Sequence, residues 1–185
     1  MKATRSSLLG TVMVVASALS APRAAPPTVA TILGTGVPGY SDTQVNNPYG
    51  IIVGPDGALY FCDLDNQRIS RFDPTTKKAT TIAGSGEKGY SGDGGPAVHA
   101  QLGGPMGLAY APGALFVADT ENHVVRRIDL TTGVITTVLG TGVKGDGRET
   151  SPLECKLSRP HGLLADGSGT LYVTDSEAHR IRELK

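Results

Sequence analysis

Short runs of apolar residues, broken by Gly, Pro and Asp, follow one another along most of this chain. The stretch ALYFCDLDNQRISRFD, which begins at Ala58, contains a continuous apolar run and then a run in which apolar and polar residues alternate. Closely similar stretches begin at Ala114 and Thr170. Short runs with these patterns, bounded by turn residues, predict β-strands rather than helices.

The three stretches are copies of one repeat, 56 residues apart. Each follows a Pro-x-Gly entry to an apolar run, at Pro48, Pro105 and Pro160, and the first two precede Thr-rich sequence ending at Gly84 and Gly140. Every copy therefore predicts four strands, labelled a to d, and such a unit is typical of a β-propeller blade. We interpret the Asp and Asn residues that recur after strand b as structural turn residues: Asp63, Asp119, Asp175, Asn66 and Asn122.

The predicted fold class is all-β, a β-propeller of four-stranded antiparallel blades with repeats at 48–84, 105–140 and 160–185. The third repeat stops after strand c, whereas the sequence VATILG at 29–34 matches the strand d segments of the other copies. Three blades' worth of strands are fewer than the roughly four to eight blades of closed propellers. The chain is therefore expected to be half of a six-bladed ring that closes as a homodimer, or a partial propeller cut from a longer array.

The order of these motifs resembles the NHL repeat: Pro-x-Gly, a turn, Leu-Tyr-Val-x-Asp, then Asn-His-x-Ile-x-x-Ile-Asp. The linker GSGEKGYSGDGGPAVHAQLGGP, from Gly84, is similar to one found in bacterial and secreted NHL proteins. The resemblance covers residues 29–185 and extends more distantly to gluconolactonase-like and peptidyl amidating lyase propellers. It implies a propeller and, for function, platforms that bind proteins, peptides or nucleic acids, with some enzymes among six-bladed relatives.

Residues 1–28 differ in composition from the repeats. Lys2 and Arg5 precede an apolar stretch from Leu8 to Leu19, and small residues and prolines follow it. About a dozen apolar residues are too few to span a bilayer as a helix, and this order is typical of a cleaved secretory signal peptide. We therefore expect a secreted or periplasmic protein. An organellar transit peptide is the alternative, because no acidic residue precedes Asp42.

The charges balance, with 17 Lys plus Arg and 17 Asp plus Glu. A neutral chain with 5% aromatic residues has neither the field nor the stacking surface of a nucleic-acid-binding protein, so no nucleic-acid partner is expected. No segment after the leader is long and apolar enough to span a membrane. Four arginines of strand c are expected on a solvated blade face: Arg126, Arg127, Arg180 and Arg182.

The two cysteines are too few for a disulfide scaffold. Cys62 aligns with Ala118 and Thr174, which predicts a small buried strand residue. Cys155 lies in a linker, and a bond between the two remains an open alternative.

Three long linkers, 34–47, 84–104 and 140–159, connect each strand d to the next strand a. Antiparallel order within a blade places these linkers on the same face as the b–c connections. Long loops on a rigid scaffold commonly carry binding groups, so we predict that this face binds the ligand. The candidate binding residues are Tyr49, Met106 and His161 at the entry to strand a, and Tyr90 and Asp93 in the second linker.

His161 resembles a zinc-ligand position of the propeller amidating lyases. A catalytic zinc needs three protein ligands, and the equivalent residues here are Tyr49 and Met106. The Gly-rich stretch at 91–95 fits neither a phosphate-binding loop nor a calcium loop. We therefore predict no metal ligands, no cofactor and no catalytic residues.

The function predicted is that of a non-catalytic platform that binds a protein, peptide or glycan through the linker face. One alternative is a metal-dependent propeller enzyme of the lactonase or lyase type. The other is a truncated propeller fragment without independent activity.

Overall fold

The structure, a computed structural model, describes residues 27–148 and 151–185. The predicted leader at 1–28 lies outside the described residues except for its last two. Contacts divide the chain into the units 1–30 and 31–185, and all the strands described lie in the second unit. Among the described residues, no helix is both long and apolar enough to cross a membrane.

Residues 31–185 form three antiparallel sheets, which we call blades 1, 2 and 3, and neighbouring strands in each follow chain order. Blade 1 contains β1 Pro48–Val53, β2 Leu59–Asp63, β3 Arg68–Asp73 and β4 Lys78–Ala83. Blade 2 contains β5 Pro105–Ala111, β6 Ala114–Asp119, β7 Val124–Asp129 and β8 Ile135–Leu139. Blade 3 contains β9 Pro160–Ala165, β10 Leu171–Asp175 and β11 Arg180–Leu184. The all-β prediction is confirmed, and the three blades do not close into a ring.

The connections within each blade follow from their turn residues. In the c–d turn of blade 1, the Asp73 carboxylate accepts hydrogen bonds from the backbone N–H groups of Thr75 and Thr76 at 2.8 and 3.2 Å. Asp129 makes the same contacts in blade 2. These bonds replace backbone pairing in the turn, which is why Asp suits the position.

Each b–c connection is a short 3₁₀ turn that ends in a left-handed residue with φ between 49° and 56°: Gln67, His123 and His179. The same backbone conformation occurs just before strand a, at Asn47, Gly104 and Arg159, where φ lies between 55° and 58°. Both kinds of bend reverse the chain at the same end of the blade.

Apolar side chains pack the blades face to face. Between blades 1 and 2, one side contributes Ile52, Tyr60, Cys62 and Ile69, and the other contributes Leu108, Leu115, Val117 and Ile128. Between blades 2 and 3, the aligned positions meet again: Ala109, Phe116 and Val125 against Leu163, Leu171, Val173 and Leu184. We call the face that each blade turns to the next one its rear face, and the opposite face its front face.

The outermost faces of this array expose apolar residues that are buried elsewhere. On the front of blade 1, Ile51 and Val53 are 62% and 66% exposed, whereas Leu108, which aligns with Ile51, is 5% exposed. On the rear of blade 3, Leu164 and Ile181 are 63% and 77% exposed.

Blade 3 has three strands, and β11 keeps a free edge. The strand d predicted at 29–34 is not a strand in the single chain; instead Leu33 packs with Val45 near Phe61 and Phe72 on the front of blade 1. The edge with which this segment would pair belongs to blade 3. The fourth strand therefore stays a prediction for an assembled ring.

Cys62 and Cys155 are both buried, and no disulfide joins them. Cys62 lies in β2 and packs between blades 1 and 2, as expected of a small buried strand residue, while Cys155 packs between blades 2 and 3. Burial raises the pKa of the Cys62 thiol far above its usual range. The alternative of a Cys62–Cys155 bond is therefore not realised in this structure.

Candidate binding face

The long linkers and the 3₁₀ turns lie at one end of the blades. A backbone hydrogen bond joins each 3₁₀ turn to the linker that leads into the same blade: Asp65 N to Asn46 O at 3.3 Å, Glu121 N to Gly103 O at 2.9 Å, and Glu177 N to Ser158 O at 2.9 Å. We call this end, formed by the three linkers and the three 3₁₀ turns, the linker face. The opposite end carries the tight a–b and c–d turns.

The recurring aspartates fasten the linkers to the blades. Asp63, Asp119 and Asp175 are fully buried. Each accepts a hydrogen bond through Oδ1 from a backbone N–H at the end of a linker, at 2.6–2.7 Å: Asn46, Gly103 and Ser158. In every blade this carboxylate therefore binds the end of the linker to the blade.

The second oxygen of each aspartate binds the 3₁₀ turn and strand c. Asn66 and Asn122 donate to it at 2.9 Å, and Ala178 replaces this asparagine in blade 3. An arginine completes each set: Arg68 Nε at 2.7 Å from Asp63, Arg126 Nη1 at 3.3 Å from Asp119, and Arg182 Nε at 3.2 Å from Asp175. Burial raises the pKa of Asp119 to about 6, while the surrounding N–H donors act in the opposite direction.

The expectation that the strand c arginines form a solvated face is wrong for two of the four. Arg126 is fully buried and Arg182 is 9% exposed, because each is drawn inward by a buried aspartate and covered by a linker. Arg126 also pairs with Asp93 at 2.7 Å, and Arg182 with Asp146 at 2.9 Å. The sequence does contain a sign of this pairing, because every copy has the recurring Asp after strand b and an Arg in strand c.

The linker candidates Tyr90 and Asp93 lie over strand c of blade 2. The Arg126 guanidinium lies 5.2 Å from the centre of the Tyr90 ring, and the Tyr90 hydroxyl is 2.9 Å from that of Thr137. Tyr40 covers Arg68 in the same way at 3.9 Å. Tyr90 thus anchors its linker while remaining 44% exposed.

The other three candidates, Tyr49, Met106 and His161, are the second residues of β1, β5 and β9. These strands lie side by side in the array, and we call the three side chains Tyr49, Met106 and His161 the rim. Tyr49 is 47% exposed, and the other two are half-buried. The candidates therefore form two groups, one at the rim and one over strand c. Nε2 of His161 is buried without a hydrogen-bond partner among the described residues, and burial lowers the pKa of this imidazole.

The glycine of each Pro-x-Gly motif has a packing reason. A methyl group on Gly50 would overlap the carbonyl oxygen of Met106, and one on Gly107 would overlap that of His161. The backbone of one blade thus lies directly against the glycine of the blade before it. Any larger residue would force neighbouring strands a apart.

Side chains from the left-handed positions also join adjacent blades. The Gln67 side-chain oxygen accepts a hydrogen bond from Gly104 N at 2.8 Å, and His123 Nδ1 accepts one from Arg159 N at 3.2 Å. Nearby, Lys144 pairs with Glu177 at 2.5 Å. The lysine lowers the pKa of the Glu177 carboxyl, so this part of the face carries both signs of charge.

Among residues 27–148 and 151–185, no group of three or more His, Cys, Asp or Glu side chains is arranged to hold a metal ion. The described part of this face also exposes aromatic and apolar side chains, such as Tyr90 and Val143, near side chains of both charges, such as Lys144 and Glu177. These are groups suited to non-covalent recognition.

Comparisons with known proteins agree with the repeat pattern. The family model for the NHL repeat matches residues 157–184. The chain is 39% identical over 106 residues to the protein SUPPRESSOR OF QUENCHING 1, chloroplastic, of Arabidopsis thaliana, a match that covers 57% of this chain and 10% of the relative. It is 44% identical over 86 residues to human NHL repeat-containing protein 2, covering 42% of this chain and 12% of the relative. The chain thus spans about a tenth of the length of these relatives.

Among solved structures, a structural genomics protein from Bacteroides thetaiotaomicron superimposes with a TM-score of 0.71 at 22% identity, covering 84% of this chain and 39% of that one. A second structure from the same organism, an auxiliary nutrient binding protein, has a TM-score of 0.61 at 23% identity, covering 73% of this chain and 36% of that one. At these identities the likeness concerns the fold. The resemblance to NHL-repeat propellers is confirmed.

Proposed function

We propose that this chain, an NHL-repeat protein folded as propeller blades, is a non-catalytic platform that binds a protein, peptide or glycan through its linker face. The observation that carries the proposal is the combination of fixed backbone and exposed side chains there. Each linker is held by a buried Asp–Arg pair, yet Tyr49, Tyr90 and Val143 are 47%, 44% and 55% exposed. Rigid presentation of aromatic groups favours binding because little side-chain entropy is lost.

Two structural neighbours support a binding role. Proteins described as auxiliary nutrient binding proteins, from Bacteroides thetaiotaomicron and Bacteroides ovatus, have TM-scores of 0.61 and 0.62 with this chain. We extend to this chain only the general role of binding. We also propose a secreted or periplasmic location, and a second copy of the chain as a partner in a six-bladed ring; the balanced charge argues against a nucleic-acid partner.

Replacing the whole second linker would not test the binding face. Ala97, Ala100 and Leu102 of this linker are at most 1% exposed and belong to the core between blades 1 and 2. Their removal would unfold the site together with its support. A test therefore needs side-chain changes at the rim.

The experiment uses labelled chain on a glycan array and a peptide array. The double variant Met106→Ser, His161→Ala should lose at least about tenfold of the affinity for any ligand found, because it truncates two of the three rim side chains. Thr131→Ala, an exposed position in the c–d turn of blade 2 at the opposite end, is the matched control. Circular dichroism checks that both variants fold.

If a ligand binds the rim variant normally but binds Thr131→Ala weakly, the site lies at the end with the a–b and c–d turns, and the proposal is wrong. A folded chain that binds neither array would overturn the proposal.

A further inference from the structure

The two interfaces between blades repeat the same contacts. In each, a carbonyl from the second residue of strand a lies on the Pro-x-Gly glycine of the preceding blade, Met106 O on Gly50 and His161 O on Gly107. In each, the side chain of the left-handed residue of the preceding blade accepts a hydrogen bond from a backbone amide of the following linker, directly after the amide that binds the buried Asp: Gly104 N to Gln67 and Arg159 N to His123. Apolar rear and front faces meet behind these polar contacts.

The rear of blade 3 has the same three features, a glycine, a left-handed residue and an apolar face, but no blade of the described chain packs against it. A methyl group on Gly162 would meet the Thr174 side chain of its own blade first, and no backbone carbonyl is among its three nearest atoms, in contrast to Gly50 and Gly107. His179 occupies the left-handed position of Gln67 and His123 and is exposed. Leu164 and Ile181, which align with Ile52 and Ile69 of blade 1, are exposed.

The front of blade 1 carries the complementary set. The Tyr49 backbone corresponds to those of Met106 and His161, and Ile51 corresponds to Leu108 and Leu163. A groove of about 510 Å³ opens here, lined mainly by apolar residues that include Ile32, Leu33, Val45, Tyr49 and Ile51. The strand residues of its lining, Ile51, Leu59, Phe61 and Phe72, align with residues that are buried on the front of blade 2: Leu108, Leu115, Val117 and Ile128.

We propose that the rear of blade 3 docks on the front of blade 1 of a second copy of this chain, head to tail, with Tyr49 O on Gly162 and Ile181 and Leu164 against Ile51. This proposal deepens the assembly part of the proposed function. The chain already forms this type of interface twice, between blades 1 and 2 and between blades 2 and 3. Each end face repeats one side of that interface, so the two end faces are complementary. Three blades cannot close on themselves, whereas two copies supply six, within the range of closed propellers.

The segment before blade 1 supplies the missing fourth strand in this arrangement. In blade 2, Val125 pairs with Leu139 and Arg126 with Thr137. The aligned pairs across the proposed interface are Ile181 with Leu33 and Arg182 with Thr31 of the other copy. The free edge of β11 would then be covered, which removes an exposed edge strand.

Light scattering after size exclusion tests the proposal with two charged variants, one for each face. Wild type should have twice the mass of a single chain, whereas Ile51→Glu and Ile181→Glu should each have the mass of one chain. Both changes place a carboxylate in each of the two interfaces of the homodimer. The matched control is Val143→Glu, which should remain dimeric: Val143 is a 55% exposed apolar residue of the third linker, which connects blades 2 and 3 and belongs to neither end face.

Mixing the two variants identifies the head-to-tail arrangement. An Ile51→Glu chain and an Ile181→Glu chain retain one unaltered interface between them, so the mixture should regain the double mass, although neither variant does so alone. A folded wild-type chain of single mass would overturn the proposal, as would dimers of either variant alone. These readouts are independent of array binding, so failure of assembly and failure of ligand binding are distinguishable.

Discussion

Asp119 illustrates how much one buried side chain contributes to a blade. In Asp119→Asn the fully buried Arg126 loses one of its two carboxylates, and the free energy of unfolding should fall by about 3 kcal/mol. The matched control is Asp56→Asn, which alters a partly exposed pair with Arg71 and should cost less than about 1 kcal/mol. Urea denaturation of both variants measures the difference. Equal losses would show that Asp119 has no special structural role.

The Pro-x-Gly glycines give a second prediction at this scale. Gly107→Ala places a methyl group against the carbonyl oxygen of His161 and should destabilise the chain by about 1–3 kcal/mol, as overpacking does. The control Gly167→Ala meets no atom within 4 Å and should change stability by less than about 0.5 kcal/mol. Thermal denaturation compares them, and an unchanged midpoint for Gly107→Ala would contradict the close approach.

Asp146 should make stability depend on acid pH. Arg180 and Arg182 hold its pKa at about 2, below the ordinary value of 3.8. A carboxyl whose folded-state pKa is lowered stabilises the fold above its unfolded pKa, and this contribution is lost as the pH falls toward the folded value. The difference in unfolding free energy between wild type and Asp146→Asn should therefore be largest near about pH 5 and shrink toward about pH 2. A difference that does not change with pH would contradict the assignment.

Sequence reasoning located the recurring aspartates but misjudged the arginines that accompany them. Arg is rarely buried, so an exposed side chain is the default expectation, although alternation along strand c places Arg126 on the same face as the buried Val124 and Ile128. Its burial depends on a linker that folds over it and on Asp93, which lies 33 residues away along the chain. The Asp–Arg pattern is also irregular in blade 1, where the arginine is Arg68 and the position of Arg126 is occupied by Ser70.

At the scale of elements, the strands could be predicted and the linkers could not. Strand a, b and c segments carry their own turn residues and apolar periodicity, so local sequence determines them. The second linker is polar and rich in Gly, and it reads as a surface loop. Its Ala97, Ala100 and Leu102 nevertheless complete the core between two blades, a role set by long-range packing.

The predicted fourth strand can be tested by cross-linking. A double variant Leu33→Cys, Ile181→Cys should form a covalent dimer under mild oxidation, because these positions align with the paired Leu139 and Val125. The native cysteines are buried and should not react. In the control Leu33→Cys, Thr131→Cys, the second cysteine lies in a c–d turn and no covalent dimer should form. Non-reducing gel electrophoresis distinguishes the outcomes, and cross-linking of both variants would contradict the pairing.

For the whole molecule, the ring should make stability depend on protein concentration. Association that stabilises only the folded state raises the midpoint of unfolding as concentration rises. Wild type should therefore melt at a higher temperature when its concentration is raised about a hundredfold, whereas Ile51→Glu should show a constant midpoint. Val143→Glu should behave like wild type, since this side chain lies outside both end faces. The repeat pattern predicted the blades because each blade is encoded locally, but closure depends on two faces that belong to different ends of the array. A wild-type midpoint independent of concentration would mean that the exposed Ile51 and Ile181 do not meet in solution.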